Sequence, residues 1–144
     1  MNDKNERTKI EQLINNKKGQ LDLKLKRHHS INLQGDNIDN INFSGVRFPQ
    51  AGFCRSNIED VIFKGANLYR SNFISANIRD VNFENANLYK TDFSNAILYD
   101  VNFSQTDLRG SDFIGSSFTD TNFNEANIEG MLIDNSEGKI YELL

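Results

Sequence analysis

The chain has 144 residues, the size of one domain, with 16 Lys and Arg against 20 Asp and Glu and a formal net charge of -4. One Cys and one Pro exclude a disulfide framework and a collagen-like chain, and the net negative charge excludes a strongly basic nucleic-acid binder. No run of about 18 apolar residues exists to span a membrane, and the opening Met1-Asn2-Asp3-Lys4-Asn5-Glu6 lacks the apolar stretch of a signal peptide, so a cytoplasmic location is expected.

At the N-terminus, Thr8 and Glu11 have the spacing of a capping box, in which each side chain bonds the other's backbone N–H. Ile10, Leu13 and Ile14 follow helical spacing, and Gly19 after Lys17-Lys18 reads as a stop. The pattern predicts a short helix over residues 4–17. Leu21, Leu23 and Leu25 then alternate with Asp22 and Lys24, as in a strand. Residues 1–30 are thus expected to form an N-terminal cap, its helix laid on whatever follows.

From residue 31 the pattern changes to a repeat of five. Every fifth residue from Leu33 to Ile133 is Phe, Leu or Ile, and all 11 Phe of the chain lie on this series. Two positions earlier runs a second series, from Ile31 to Met131, made mostly of Ala, Ser, Thr, Val and Ile. The residue just before each large one is Asn or Asp in 15 of 21 cases, a composition suited to corners. A period of five fits neither a helix nor a flat strand. It fits a chain that turns a corner every five residues, with positions i and i-2 facing inward together. Stacked coils of this kind pair backbone with backbone, which is the logic of a solenoid.

A second period sets the number of corners. Phe recurs every ten residues from Phe43 to Phe123, while most positions midway are Ile or Leu. A triangular coil would stack Phe on aliphatics in alternate layers; a square coil stacks like on like. Asp60, Asp80, Asp100 and Asp120 recur every 20, followed by Val61, Val81, Val101 and Thr121. A four-sided coil of 20 residues follows, with Phe lining two opposite walls. Adjacent coils about 4.8 Å apart then allow offset stacking of the rings.

Segments such as Ala66-Asn67-Leu68-Tyr69-Arg70, Ala76-Asn77-Ile78-Arg79-Asp80 and Ala86-Asn87-Leu88-Tyr89-Lys90 resemble the pentapeptide-repeat motif, Ala-(Asp/Asn)-Leu-X-X. The resemblance runs over residues 31–135, about 21 repeats, and implies an all-β solenoid: a right-handed quadrilateral parallel β-helix of about five coils. Asp36 and Met131 depart from the small position, and Ile62 and Ile97 from the polar one. Residues 136–144 form a C-terminal tail. Its Ile140, Tyr141, Leu143 and Leu144 either fold over the last coil or, as the resemblance implies, join a second copy in a homodimer.

Charge is segregated. Residues 1–30 carry eight basic and four acidic residues (+4), residues 31–135 seven and 14 (-7), and the tail -1. Glu59, Asp60, Asp80, Glu84, Asp100 and Asp120, with Asp39 and Glu125, fall around one wall and its following corner. Tyr69, Arg70, Tyr89, Lys90 and Arg109, with Arg55, are placed near the opposite corner. The Asp column reads either as turn-capping groups, each bonding its own backbone two residues on, or as an acidic recognition stripe. The tyrosine and basic residues read as solvated surface or as a contact site, since Tyr and Arg anchor interfaces.

No phosphate loop, nucleophile elbow or metal-ligand spacing occurs, so no enzyme activity, cofactor or metal is expected. Cys54 follows a large residue and should face outward, with no base beside it. The expected role is a protein-interaction module for a protein partner, with no direct contact to nucleic acid. A second expectation comes from the resemblance: some members mimic duplex DNA and protect DNA gyrase and topoisomerase from quinolones or toxins.

Overall fold

The computed structural model of the chain describes residues 31–134, together with Ile10 and Gln12. Over that span the backbone returns to register every 20 residues. Asn37 pairs with Asn57, Ile78 with Leu98 and Phe113 with Ile133, always in parallel. The elements are β1 (Asn37–Asp39), β2 (Asn57–Glu59), β3 (Asn77–Asn82), β4 (Ile97–Asn102), β5 (Asp112–Phe113), β6 (Ser117–Thr119) and β7 (Leu132–Ile133). Strands β1-β2-β3-β4-β6 make one five-stranded sheet, and β5-β7 a two-stranded one. Single bridges such as Asn42↔Ile62 and Arg47↔Asn67 continue the same 20-residue register on the other sides.

The coil therefore has four walls. Wall A is the five-stranded sheet, with Ile38, Ile58, Ile78, Leu98 and Phe118 pointing inward. Wall B carries Phe43 to Phe123 in steps of 20, wall C Phe48, Leu68, Leu88, Leu108 and Ile128, and wall D Leu33, four Phe and Ile133. Each corner is made by one backbone state: every fifth residue from Gly35 to Gly130 has φ between 51° and 75°, the left-handed region. At the corners after walls B, C and D an i+3 N–H closes the turn, as from Ala66 to the Phe63 carbonyl at 2.9 Å and from Ser71 to Leu68 at 3.0 Å.

The corner after wall A is different. There β3 and β4 keep ladder pairs on both sides of the left-handed Asp80 and Asp100, and no bond of this kind joins Val61 to Ile58. The inward position beyond this bend holds Ile41, Val61, Val81 and Val101, where the other walls favour Ala, Ser and Thr. β-branched side chains fit extended backbone, so the residue choice and the missing turn bond agree.

The bore is filled by rings. On wall D, Phe53, Phe73, Phe93 and Phe113 stack at 4.6–4.8 Å with planes within 10°. On wall B, successive rings from Phe43 to Phe123 stack at 5.1–5.4 Å. The two stacks meet edge to face across the interior, Phe83 on Phe93 at 6.0 Å and 84°. Both arrangements suit the ring quadrupole and add about 0.5–1.5 kcal/mol per pair beyond burial.

Buried hydroxyls fill the remaining inward positions and are bonded. Ser71 Oγ donates to the Phe48 carbonyl at 3.1 Å and accepts from the Ala51 N–H, and Thr91 and Thr106 donate to Leu68 and Phe83. Tying one coil to the next in this way leaves these groups satisfied.

The ends differ. Ile10 is fully buried within the core cluster, while Gln12 is exposed. The rest of the expected helix over 4–17, the strand at 21–25 and the tail residues Ile140, Tyr141, Leu143 and Leu144 lie outside the described residues. In the last coil Phe118, Ala126, Ile128, Met131 and Ile133 are only partly buried. Among the described residues, no helix is long and apolar enough to cross a membrane.

Candidate interaction surfaces

The outward positions are ordered by the same register. On walls B, C and D, the Asn or Asp before each inward residue accepts a bond from the N–H two residues on. Examples are Asn82 with Glu84 at 2.8 Å and Asp92 with Ser94 at 2.8 Å. These side chains cap the approach to the corner. Gly52 interrupts the series on wall D; a Cβ there would require the Asn32 side chain to shift, since Oδ1 would stand 2.9 Å away.

The turn-capping reading of the Asp column is therefore corrected. Asp60, Asp80, Asp100 and Asp120 occupy the left-handed corner after wall A, with φ of 51–53°. Among the described residues their carboxylates make no hydrogen bond, because the capping role belongs to residues three positions earlier on the other walls. Backbone geometry does not demand Asp either. Asn40, which has no charge, occupies the same corner with φ of 57°. The four carboxylates lie one coil apart, where neighbours in water repel by about 1 kcal/mol before salt screening.

The other acidic candidates divide. Glu59 shares the register of Arg79 on the next coil, beside the Asp corner. Glu84 sits beyond wall B and pairs with Lys64 at 3.0 Å, so it is not part of an open acidic stripe. Glu125 Oε2 accepts from Gln105 Nε2 at 2.9 Å, at the corner after wall B rather than in the Asp column.

The tyrosine and basic residues come together on wall C and its following corner. Tyr69 and Tyr89 stack at 5.8 Å and 12°. Arg70 lies 5.3 Å over Tyr69, while Lys90 and Arg109 lie 5.3 and 5.4 Å over Tyr89. Arg109 also grips Asp107 with two bonds, Nε to Oδ1 at 2.9 Å and Nη2 to Oδ2 at 2.8 Å. Those bonds hold the Asp107 carboxyl below its ordinary range, against a smaller opposing effect of burial. Arg55 does not join this group. It stands 15 residues from Arg70, not a multiple of 20, and so occupies the corner after wall D.

Two outward residues on β4 were not among the expected site residues as a pair. Ile97 is 57% and Tyr99 40% exposed, and the Arg79 guanidinium lies 4.7 Å over the Tyr99 ring. Ile97 is legible as a departure from the polar position, but the neighbouring Tyr99 carries no such mark. The pairing with Arg79 was readable from their 20-residue separation. Cys54 is half-buried and free.

The square coil, its one-residue-in-five inward series and its left-handed corners define a parallel β-solenoid scaffold. The Pentapeptide repeat region profile matches residues 36–113 and 56–133, and the chain belongs to this family. No curated protein matches the sequence. Among solved structures it is similar to a pentapeptide repeat protein from the thylakoid lumen of Arabidopsis thaliana, at 24% identity over 76% of this chain and 75% of that one, TM-score 0.49. It is also similar to the pentapeptide repeat protein Rfr23 from the cyanobacterium Cyanothece 51142, at 16% identity over 69% and 88%, TM-score 0.33. A third is QnrB1, a plasmid-mediated fluoroquinolone resistance protein, at 16% identity over 79% and 95%, TM-score 0.34.

Proposed function

We propose that the protein is a non-enzymatic protein–protein interaction module, a rigid rod that presents outward side chains to a protein partner. The observation that carries this reading is the contrast between a bore packed with rings and corners at which side chains are displayed at one-coil spacing. Ordered backbone on every side means that little conformational entropy is lost when a partner docks. The test is a pull-down comparing wild type with Tyr69→Ala/Tyr89→Ala and with Asp80→Lys/Asp100→Lys. One pair of changes is expected to lose the partner; unchanged recovery with both would remove these two corners from the proposal.

A second reading, protection of DNA gyrase or topoisomerase by mimicry of duplex DNA, is favoured by the -7 charge of residues 31–135 and by the Asp column. A gyrase supercoiling assay with a quinolone tests it. Restored supercoiling at micromolar protein supports it, and none sinks it. The proposal includes a homodimer through the C-terminal end, supported by the partly exposed apolar residues of the last coil. Sedimentation should then show twice the monomer mass, lost on Tyr141→Asp/Leu143→Asp.

A further inference from the structure

The acidic corner has an apolar centre beside it. β4, the fourth strand of the five-stranded sheet, places Ile97 and Tyr99 outward. In the three preceding coils the register puts Asn37, Asn57 and Asn77 where Ile97 stands. Asn57 Nδ2 donates to Asn37 Oδ1 at 2.8 Å, a cross-coil bond that Ile97 has no group to make. Three coils thus show that Asn serves the fold at this position, while Ile97 leaves more than half its surface in water. Arg79 backs the Tyr99 ring, so the aromatic is positioned rather than free.

Carboxylates line one side of this pair, beyond Arg79. Asp80, Asp100 and Asp120 line the adjoining corner, with Glu59 and Asp60 one step further along the rod. The ion pairs among the described residues, Lys64 with Glu84 and Arg109 with Asp107, involve none of them. The strands under the patch are bonded on both sides, so a partner meets side chains rather than a free sheet edge.

We propose that this face docks a basic segment of a partner protein: an extended stretch in which Arg or Lys flank an aliphatic or aromatic residue that seats on Ile97 and Tyr99. The charge of the flanking corner selects the cations, and the exposed apolar pair supplies the desolvated centre that a specific interface needs. A bare polycation would be held by the carboxylates alone and would be indifferent to Ile97 and Tyr99. The inference rests on the interaction-module reading and adds the face and the chemistry of the partner.

The experiment is selection of a displayed library of random 12-residue peptides on the folded full-length chain, followed by titration of the recovered peptides against variants. Ile97→Asn and Tyr99→Thr install residues that other coils carry at these positions, as in Asn77 and Thr119, so the fold is kept. Recovered peptides are expected to combine Arg or Lys with a Leu, Ile, Phe or Tyr. They should bind either variant at least about tenfold more weakly than wild type, as loss of an interface anchor implies. Affinity should also fall several-fold as salt rises to about 0.5 M, and Tyr69→Ala should leave it unchanged. Equal binding to wild type and both variants, or binding lost instead on Tyr69→Ala, overturns this face while sparing the interaction module. Recovery of no peptide that prefers the folded chain to the denatured one overturns both. A dimer dissociated by Ile97→Asn would put a second copy on this face and also overturn the proposal.

Discussion

The bore and the corners of one coil obey opposite rules. Phe73, Phe83, Phe93 and Phe103 are all fully buried, each stacked on a ring one coil away and edge-on to a ring of the other stack. The corners share one backbone state, yet Gly65, Arg70, Ser75, Asp80, Asn85 and Lys90 follow one another there. Inside, shape and volume dictate the residue; at the corner only a dihedral is imposed, and many polar residues meet it. Individuality in this chain is therefore concentrated outside.

The sharpest attempt to break that contrast is Phe83→Ala. A cavity between two stacked neighbours and two edge-on partners should cost about 3–5 kcal/mol in urea unfolding. Phe118→Ala, in the half-open last coil, should cost well under half of that; equal losses would mean that both coils are packed alike. Next comes the hydroxyl ladder. Ser71→Ala removes two buried hydrogen bonds, to the Phe48 carbonyl and from the Ala51 N–H, leaving those groups only their mutual 3.3 Å turn bond, and should cost about 1 kcal/mol, against a change within about 0.5 kcal/mol for the exposed Ser117→Ala.

At the corner the sign should reverse. Asp80→Asn/Asp100→Asn removes repulsion and should raise stability by about a few tenths of a kcal/mol at low salt, a gain that fades near 1 M. A loss comparable to that of Ser71→Ala would mean that the carboxylates hold the turn after all. The smallest effect concerns Asp107. Its carboxyl is held below the ordinary range by Arg109, so the stability it contributes is present above that range and disappears as pH falls through the lowered value. Melting temperatures of wild type and Arg109→Ala should differ slightly at neutral pH and converge in acid; divergence on acidification would contradict the pairing.

Most of the architecture was legible because the repeat constrains it so tightly. A large apolar residue at every fifth position, with a small one two before it, can hide both only on the inner side of a coil that bends every five residues. The surface was less legible. Tyr69 and Tyr89 were readable as stacked from their separation of 20, and Arg55 should have been set apart from Arg70 by the same rule. The role of Asp60, Asp80, Asp100 and Asp120 was not readable, because Asp is a turn former in general. Only the placement of the caps at residues such as Asn82 and Asp92 shows that the corner after wall A does without them.

By itself the sequence determined a square tube of 20-residue coils, its inward and outward residues, and the segregation of its charge. These follow from periodicity, which burial alone enforces. The tertiary structure decided the edge-to-face meeting of the two ring stacks, the bend after wall A that lacks the i+3 turn bond, and the attachment of Arg109 to Asp107 and of Arg79 to Tyr99. Contacts between walls, and the aim of long side chains, depend on neighbours that stacking alone brings within reach. A linear pattern ranks positions by polarity but does not say which neighbour a flexible cation will choose.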